Sequence, residues 1–309
     1  HSNHKRSERA GHTHTHTHTD THSYPASVWE MPSTAHLLCL ALLLSSLCAS
    51  LSVAIQQHKI HLVDQWQDRN FLVRGDQPRN DSIPFSQCGG SGAPHDPPQW
   101  MCFGYEQLLQ YTRAQLLQEA GVRLPARVWL LDVSLLGPQG AEETLDLQVE
   151  RAFFRHDPTR GQLLHWPLWG QKDHCPVQAQ TQEQVLQLAS TSLSWMADDL
   201  GNLTARLRTL LHTPADLPVL IYVHCEHGMD RTGELSGAYS MRYLGQSYPE
   251  VVKYNDAVGN RPQMPENKCA MHWYCYYLSL HDRLTTVDCG GADGDTPHLL
   301  TSNTRKPSR

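Results

Sequence analysis

The most specific chemistry in the chain lies in ten consecutive residues, His224-Cys225-Glu226-His227-Gly228-Met229-Asp230-Arg231-Thr232-Gly233. They follow the apolar run Val219-Leu220-Ile221-Tyr222-Val223, which reads as a strand, and they lead into a helical pattern over 232–244. Successive backbone N–H groups at a strand-to-helix turn form an anion cradle, and the helix N-terminus adds positive potential. The same field stabilises a thiolate, which makes Cys225 the candidate nucleophile, with His224 beside it. Residues Glu226, His227, Gly228, Met229, Asp230 and Arg231 would form the cradle. Arg231 can close it with a bidentate grip on two oxygens of a tetrahedral anion. Thr232 can donate its hydroxyl to the Cys225 sulfur, or help that sulfur leave in a second step. Gly228 and Gly233 permit tight backbone geometry.

Positioning such a loop needs a sheet and helices to hold it. Residues 105–119 carry Leu108, Leu109, Leu116 and Leu117 and read as a helix stopped by Gly121 and Pro125. Residues 128–133 are a short apolar run, typical of a buried parallel strand. Residues 163–169 read as another short strand, broken by Pro167. Residues 71–100 are rich in Gly, Pro and Ser and read as loop. From Val185 the positions Leu188, Ser192, Met196, Leu200, Leu203, Leu207 and Leu210 give a long amphipathic helix, bent at Gly201-Asn202. Ser247 can cap a further helix, with Glu250 three residues on and Pro249 in its first turn. A last helix over 266–284 has an apolar face of Cys269, Trp273, Tyr276, Tyr277, Leu280 and Leu284. Strand, long helix, strand implies a βαβ crossover. The fold class expected is therefore α/β, with a mostly parallel central sheet flanked by helices and a strand–loop–helix unit at 219–244.

Composition limits the rest. The chain has 309 residues, is 39% hydrophobic and 18% charged, and carries a net charge of −6, which excludes collagen-like and coiled-coil chains and disfavours nucleic acid as a partner. Of its 20 histidines, seven fall in the first 22 residues. The alternation from His12 to Thr19 is what an in-frame CAC-ACA codon repeat encodes, so residues 1–30 read as a leader upstream of a start at Met31. The rival is a metal-binding histidine tract, but nothing nearby closes a site. Residues 31–54 read as a secretion signal, with Ser52 and Ala54 in a small-x-small cleavage pattern and no stop-transfer sequence, so no membrane span is expected in the mature chain. A catalytic domain over 55–289 and a disordered tail over 290–309 follow. Seven cysteines remain beyond the signal, which allows three bridges and leaves one thiol over. Cys269 and Cys275, six apart on one helix, need separate partners. No C-x-x-C spacing is present, and no metal or cofactor is expected. The sequons at Asn80 and Asn202 suit a secreted chain, the localisation expected here.

The loop resembles the signature of the cysteine-dependent protein tyrosine phosphatase superfamily, H-C-x5-R-S/T, at His224, Cys225, Arg231 and Thr232, with the common internal glycine at Gly228. The resemblance spreads over about residues 69–284. Residues 70–78 look like the first strand of secreted and dual-specificity-like members, and residues 128–133 look like their strand ending in Asp. An atypical, secreted tyrosine-phosphatase-like group is the nearest kin this resemblance implies. It implies a two-step reaction: Cys225 attacks phosphorus, an acid on another loop protonates the leaving oxygen, and that group then activates water. The family places the acid on a loop that often bears Trp-Pro. Here Trp166-Pro167 is followed at a distance by Asp173, which lies 52 residues before Cys225, further than the family usually shows. Asp157 and Asp216 are alternatives, whereas Asp198 and Asp199 read as solvated helix positions. With Glu226 and Asp230 and no lysine in the loop, a phosphoprotein or other small phosphomonoester, phosphotyrosine first, is the implied substrate. An inositol-phosphate or phytase-like activity is the enzymatic alternative. A phosphate-binding pseudophosphatase is the non-catalytic one, and disulfide capture of Cys225 would also silence the site.

Overall fold

The computed structural model describes residues 55–89, 96–137, 140–172, 175–176 and 195–290. Five strands form one sheet: β1 (His61–Trp66), β2 (Asn70–Gly75), β3 (Trp129–Ser134), β4 (Gly161–His165) and β5 (Val219–His224). Their spatial order is β1-β2-β5-β3-β4. Only the β1–β2 pair is antiparallel; β2–β5, β5–β3 and β3–β4 are parallel. This is the mostly parallel α/β architecture expected. The helices are α1 (Tyr105–Ala120), α2 (Ala141–His156), α3 (Leu200–His212), α4 (Asp230–Tyr243), α5 (Tyr248–Gly259) and α6 (Pro265–Tyr276).

The period-two alternation of strand residues explains why helices cover both faces. Phe71, Val73, Leu130, Leu220 and Tyr222 pack in one core with Leu108, Leu116, Val149 and Phe153 of α1 and α2. Leu72, Leu131, Val133, Ile221 and Val223 pack in the other with Leu203, Leu207, Leu235, Met271 and Trp273 of α3, α4 and α6. Strand β5 is central and fully buried. Its last residue, His224, is level with Gly75 of β2 and Ser134 of β3. The loop that follows therefore emerges at the carboxyl edge of three parallel strands, where crossovers on opposite faces leave a crevice.

Helix α1 starts at Tyr105, and Gly121 ends it in the left-handed region at φ 66°. The capping box of Ser247 and Glu250, with Pro249 in the first turn, is present at α5. Four expectations fail. Residues 71–75 are not loop but part of the fully buried strand β2, because the Gly- and Pro-rich composition belongs to the stretch after them. Strand β4 ends at His165, before Pro167. The helix expected to bend at Gly201-Asn202 is instead broken earlier. Asp199 is left-handed at φ 49°, between a single turn, Trp195–Asp198, and α3, while the stretch 177–194 lies outside the described residues. Helix α6 stops at Tyr276, and a π turn, Tyr277–His281, follows it. The disulfides are Cys88–Cys102, Cys175–Cys269 and Cys275–Cys289, so Cys269 and Cys275 do take separate partners. Among the described residues Cys225 is the free cysteine, and it is buried. No helix among the described residues is long and apolar enough to cross a membrane.

Candidate active site

Cys225 lies at the base of a cavity of about 560 Å³, walled by the loop 226–231 and by Glu142, Glu143, Trp169, Lys172, Arg261 and Met264. Burial pushes its thiol up. The Arg231 guanidinium, the Thr232 hydroxyl and the backbone N–H groups of Thr232 and His227 outweigh that, and the thiol lies below its ordinary value. The Thr232 hydroxyl is buried beside the Cys225 sulfur and favours its thiolate form.

The loop is held open from behind by two buried cations that the sequence analysis did not single out. Lys59 Nζ donates to the His227 carbonyl at 2.9 Å, and the Arg74 guanidinium donates to the Gly228 carbonyl at 3.1 Å. Lys59 is 5% exposed and Arg74 wholly buried. Arg74 is itself fixed by Ser236 and Asn255. A third donor, Gln263 Nε2, takes the Asp230 carbonyl at 2.7 Å. With these carbonyls turned outward, the N–H groups are free to point inward. Gly228 is required here: its φ is +63°, and a Cβ would come within 2.5 Å of the Gly75 carbonyl.

Arg231 is bidentate, as its type and place imply, but its partner within the chain is Glu143. The two guanidinium nitrogens meet the two carboxylate oxygens at 2.5 and 3.1 Å. Glu143 also accepts from the Gly137 N–H at 3.0 Å. It stands in the first turn of α2, an element missing from the sequence reading. The signal was available: Asp146, Leu147, Glu150, Phe153 and Phe154 are buried at steps of three and four.

Behind the loop, His224 is fully buried, with Nε2 at 3.0 Å from Asp132 Oδ1 and 3.7 Å from Glu150. Burial alone would lower the imidazole; Asp132, then Glu150 and the Cys225 thiolate, raise it to about 9. Burial pushes Glu150 up, the His224 charge opposes, and Asp132 pushes it further. Gln77 Nε2 donates to Glu150 at 2.7 Å. Among the described residues this is the group of three acidic or imidazole side chains close enough to share a cation. The ion pair of His224 with Asp132 already occupies it.

The remaining candidates separate. The Asp230 carboxylate is occupied by other cavity-lining groups, pairing with Arg261 at 2.6 and 3.2 Å and accepting from the Met264 N–H at 2.8 Å. Its charge is thus spent on a structural clamp, and Arg261 and Lys172 bring positive charge to the cavity from elsewhere. Glu226 and His227 do line the cavity. Asp173 lies outside the described residues. Asp157 is half-buried and caps the chain after α2 through Thr159 and Arg160. Asp198 is not solvated: it is fully buried and accepts from the Trp169 and Gly170 N–H groups at 2.7 and 2.9 Å. Asn202 is exposed in α3, whereas Asn80 is half-buried and engaged with Met101 and Gln107.

No protein-family model and no curated protein matches the chain. Among solved structures it is similar to the PTP-2 phosphatase of Cydia pomonella, at 18% identity over 53% of this chain and 77% of that one, with a TM-score of 0.28. It is also similar to the core catalytic domain of the PP-IP phosphatase SIW14 from S. cerevisiae, solved with citrate, at 16% identity over 56% and 83% and a TM-score of 0.27. Likeness this distant leaves the chemistry to the site's own atoms.

Proposed function

We propose that this chain is a phosphomonoester hydrolase with Cys225 as nucleophile, working through a thiophosphate intermediate. The observation that carries the reading is a buried, free thiol with a lowered pKa at the floor of a loop whose His227, Gly228 and Asp230 carbonyls are held from behind. The thiolate attacks phosphorus, the sulfur–phosphorus bond forms, and the phosphorus–oxygen bond to the leaving group breaks. The loop N–H groups and Arg231 hold the equatorial oxygens as charge develops. Asp173 is the proposed donor to the leaving oxygen and the later base on water. Water then displaces Cys225, and Thr232 assists the departing sulfur. Glu143 keeps the Arg231 fork in plane between turnovers.

For the substrate, we favour phosphotyrosine in a protein. Trp169 and Met264 are 38% and 46% exposed, and both line the cavity mouth, where an aryl ring would cover them. The exposed Lys172 and the Arg261 guanidinium favour an inositol phosphate as the second reading. Three bridges alongside the acceptor Asn202 support a secretory setting. The test is hydrolysis of an aryl phosphate by the reduced full chain against Cys225→Ser. We expect turnover in the first and a loss of about a thousandfold or more in the second. No turnover in the wild type would remove the reading. A phosphotyrosine peptide and an inositol polyphosphate compared side by side would decide between the two substrates.

A further inference from the structure

A second pair of buried carboxyls lies beside α4, with no salt bridge to either member among the described residues. Asp198 and Glu234 are both fully buried. Their carboxyls are in hydrogen-bonding contact with each other. Glu234 stands one turn beyond Arg231 in α4, and Asn267 of α6 donates to its Oε2 at 2.7 Å. Its other oxygen, Oε1, is buried with no N–H or O–H reaching it. Two carboxylate oxygens cannot bond to each other without a hydrogen, and two bare buried carboxylates in contact would repel strongly.

The Asp198 oxygens are already committed. They accept the backbone N–H groups of Trp169 and Gly170, and the Asp198 carbonyl accepts Trp166 Nε1 at 2.8 Å. On its far side the same segment is tied by the Gln171 N–H to the Glu266 carbonyl at 2.9 Å. This segment carries Leu168, Trp169 and Lys172 on the cavity wall. Gly170, at φ +70°, is packed against the Glu266 backbone, so the segment has little room to slide.

We propose that Asp198 and Glu234 are positioning residues which share one proton and so fix segment 166–172 as a wall of the Cys225 cavity. Glu234 holds the proton and donates it to Asp198; Asp198, ionised, receives three hydrogens at its two oxygens. The donor count supports this division, because Asp198 already has two N–H donors and Glu234 has a single donor on one oxygen only. Burial raises both groups, and Asp198 raises Glu234 further. Among the described residues, the groups acting on the pair include the Trp169 and Gly170 N–H, the Asn267 amide and the Arg231 guanidinium. When the shared proton leaves to solvent at alkaline pH, the carboxylates repel and the wall is released.

The kinetic arm of the test rests on the phosphatase reading; the exchange arm does not. KM and kcat for an aryl phosphate are measured against pH for wild type, Glu234→Gln and Glu234→Ala. In parallel, hydrogen-exchange protection factors are measured at the Trp169 and Gly170 amides. In wild type we expect both amides to lose protection on the alkaline side, with KM rising about tenfold, within the range that a misplaced wall costs. Glu234→Gln replaces the shared proton by an amide N–H that cannot ionise, so protection and KM should stay level. Glu234→Ala should show the released state at every pH. An alkaline limb unchanged in Glu234→Gln, or amides that stay protected in wild type throughout, would overturn the proposal. If Glu234→Gln does not fold, the wild-type exchange profile alone decides. If the chain hydrolyses nothing, that profile still reads the shared proton while the phosphatase reading fails separately.

Discussion

Two buried carboxyl pairs flank the strand–loop–helix unit, and they are solved by different means. Behind the loop, Asp132 faces a cation, the His224 imidazolium, with the raised, protonated Glu150 beside it. Beside α4, Asp198 and Glu234 have no such cation and are proposed to share a proton. The difference shows what each can do. A cation held by a carboxylate one residue from Cys225 is a source of positive potential beneath the thiolate, because an interaction that raises His224 stabilises the thiolate equally. A shared proton supplies no field at the sulfur; it supplies a fixed bond to the cavity wall.

The comparison breaks most sharply at Asp132. Asp132→Ala leaves the His224 ring buried without its anion and should cost about 3–5 kcal/mol of folding stability, read by urea denaturation. A cost below about 1 kcal/mol would mean that His224 is not charged in the folded chain. Asp132→Asn keeps the shape and removes the charge. It should move the pH dependence of Cys225 alkylation by iodoacetamide upward. A limb that stays in place would show that the His224 charge does not reach the sulfur.

Both pairs should weaken the fold in the same direction of pH. The folded His224 value of about 9 stands above its ordinary 6.5, so its contribution is complete below 6.5 and is lost as pH rises through about 9. Glu150 and Glu234 are also raised, so each binds a proton in the fold that the unfolded chain has released, and each adds to the alkaline loss. Denaturation midpoints that rise across that window would contradict the assignment. The smallest expected effect is Glu150→Gln, under about 1 kcal/mol at neutral pH, because the protonated carboxyl and the amide are nearly the same shape and Gln77 can still donate to the oxygen. A larger loss would show Glu150 to be ionised beside Asp132.

Much of the loop from His224 to Gly233 was legible from the residues alone, because its candidate functional groups are neighbours in the chain. Strand β5, the start of α4 and the α5 capping box are local patterns of apolar period and polar caps. The odd cysteine count correctly left one thiol free, and it is Cys225. What was missed lies far away in sequence. Lys59 is separated from His227 by 168 residues and Arg74 from Gly228 by 154. Helix α2, with Glu143 and Glu150, has buried acidic residues where an apolar stripe is sought, so its charged core face disguised it. Asp198 was misplaced in solvent for the same reason: helical phase says which positions share a face, not whether that face meets another chain segment.

The sequence by itself determined that a thiol, an arginine and a threonine meet at a strand-to-helix turn, since local backbone geometry and residue type suffice for that. Only the tertiary structure decided how the loop is held open, which carboxylate holds Arg231, and which buried acids are balanced by a cation and which by a proton. Those depend on burial and on the identity of the facing group, and both are set when strands distant in the chain are brought side by side.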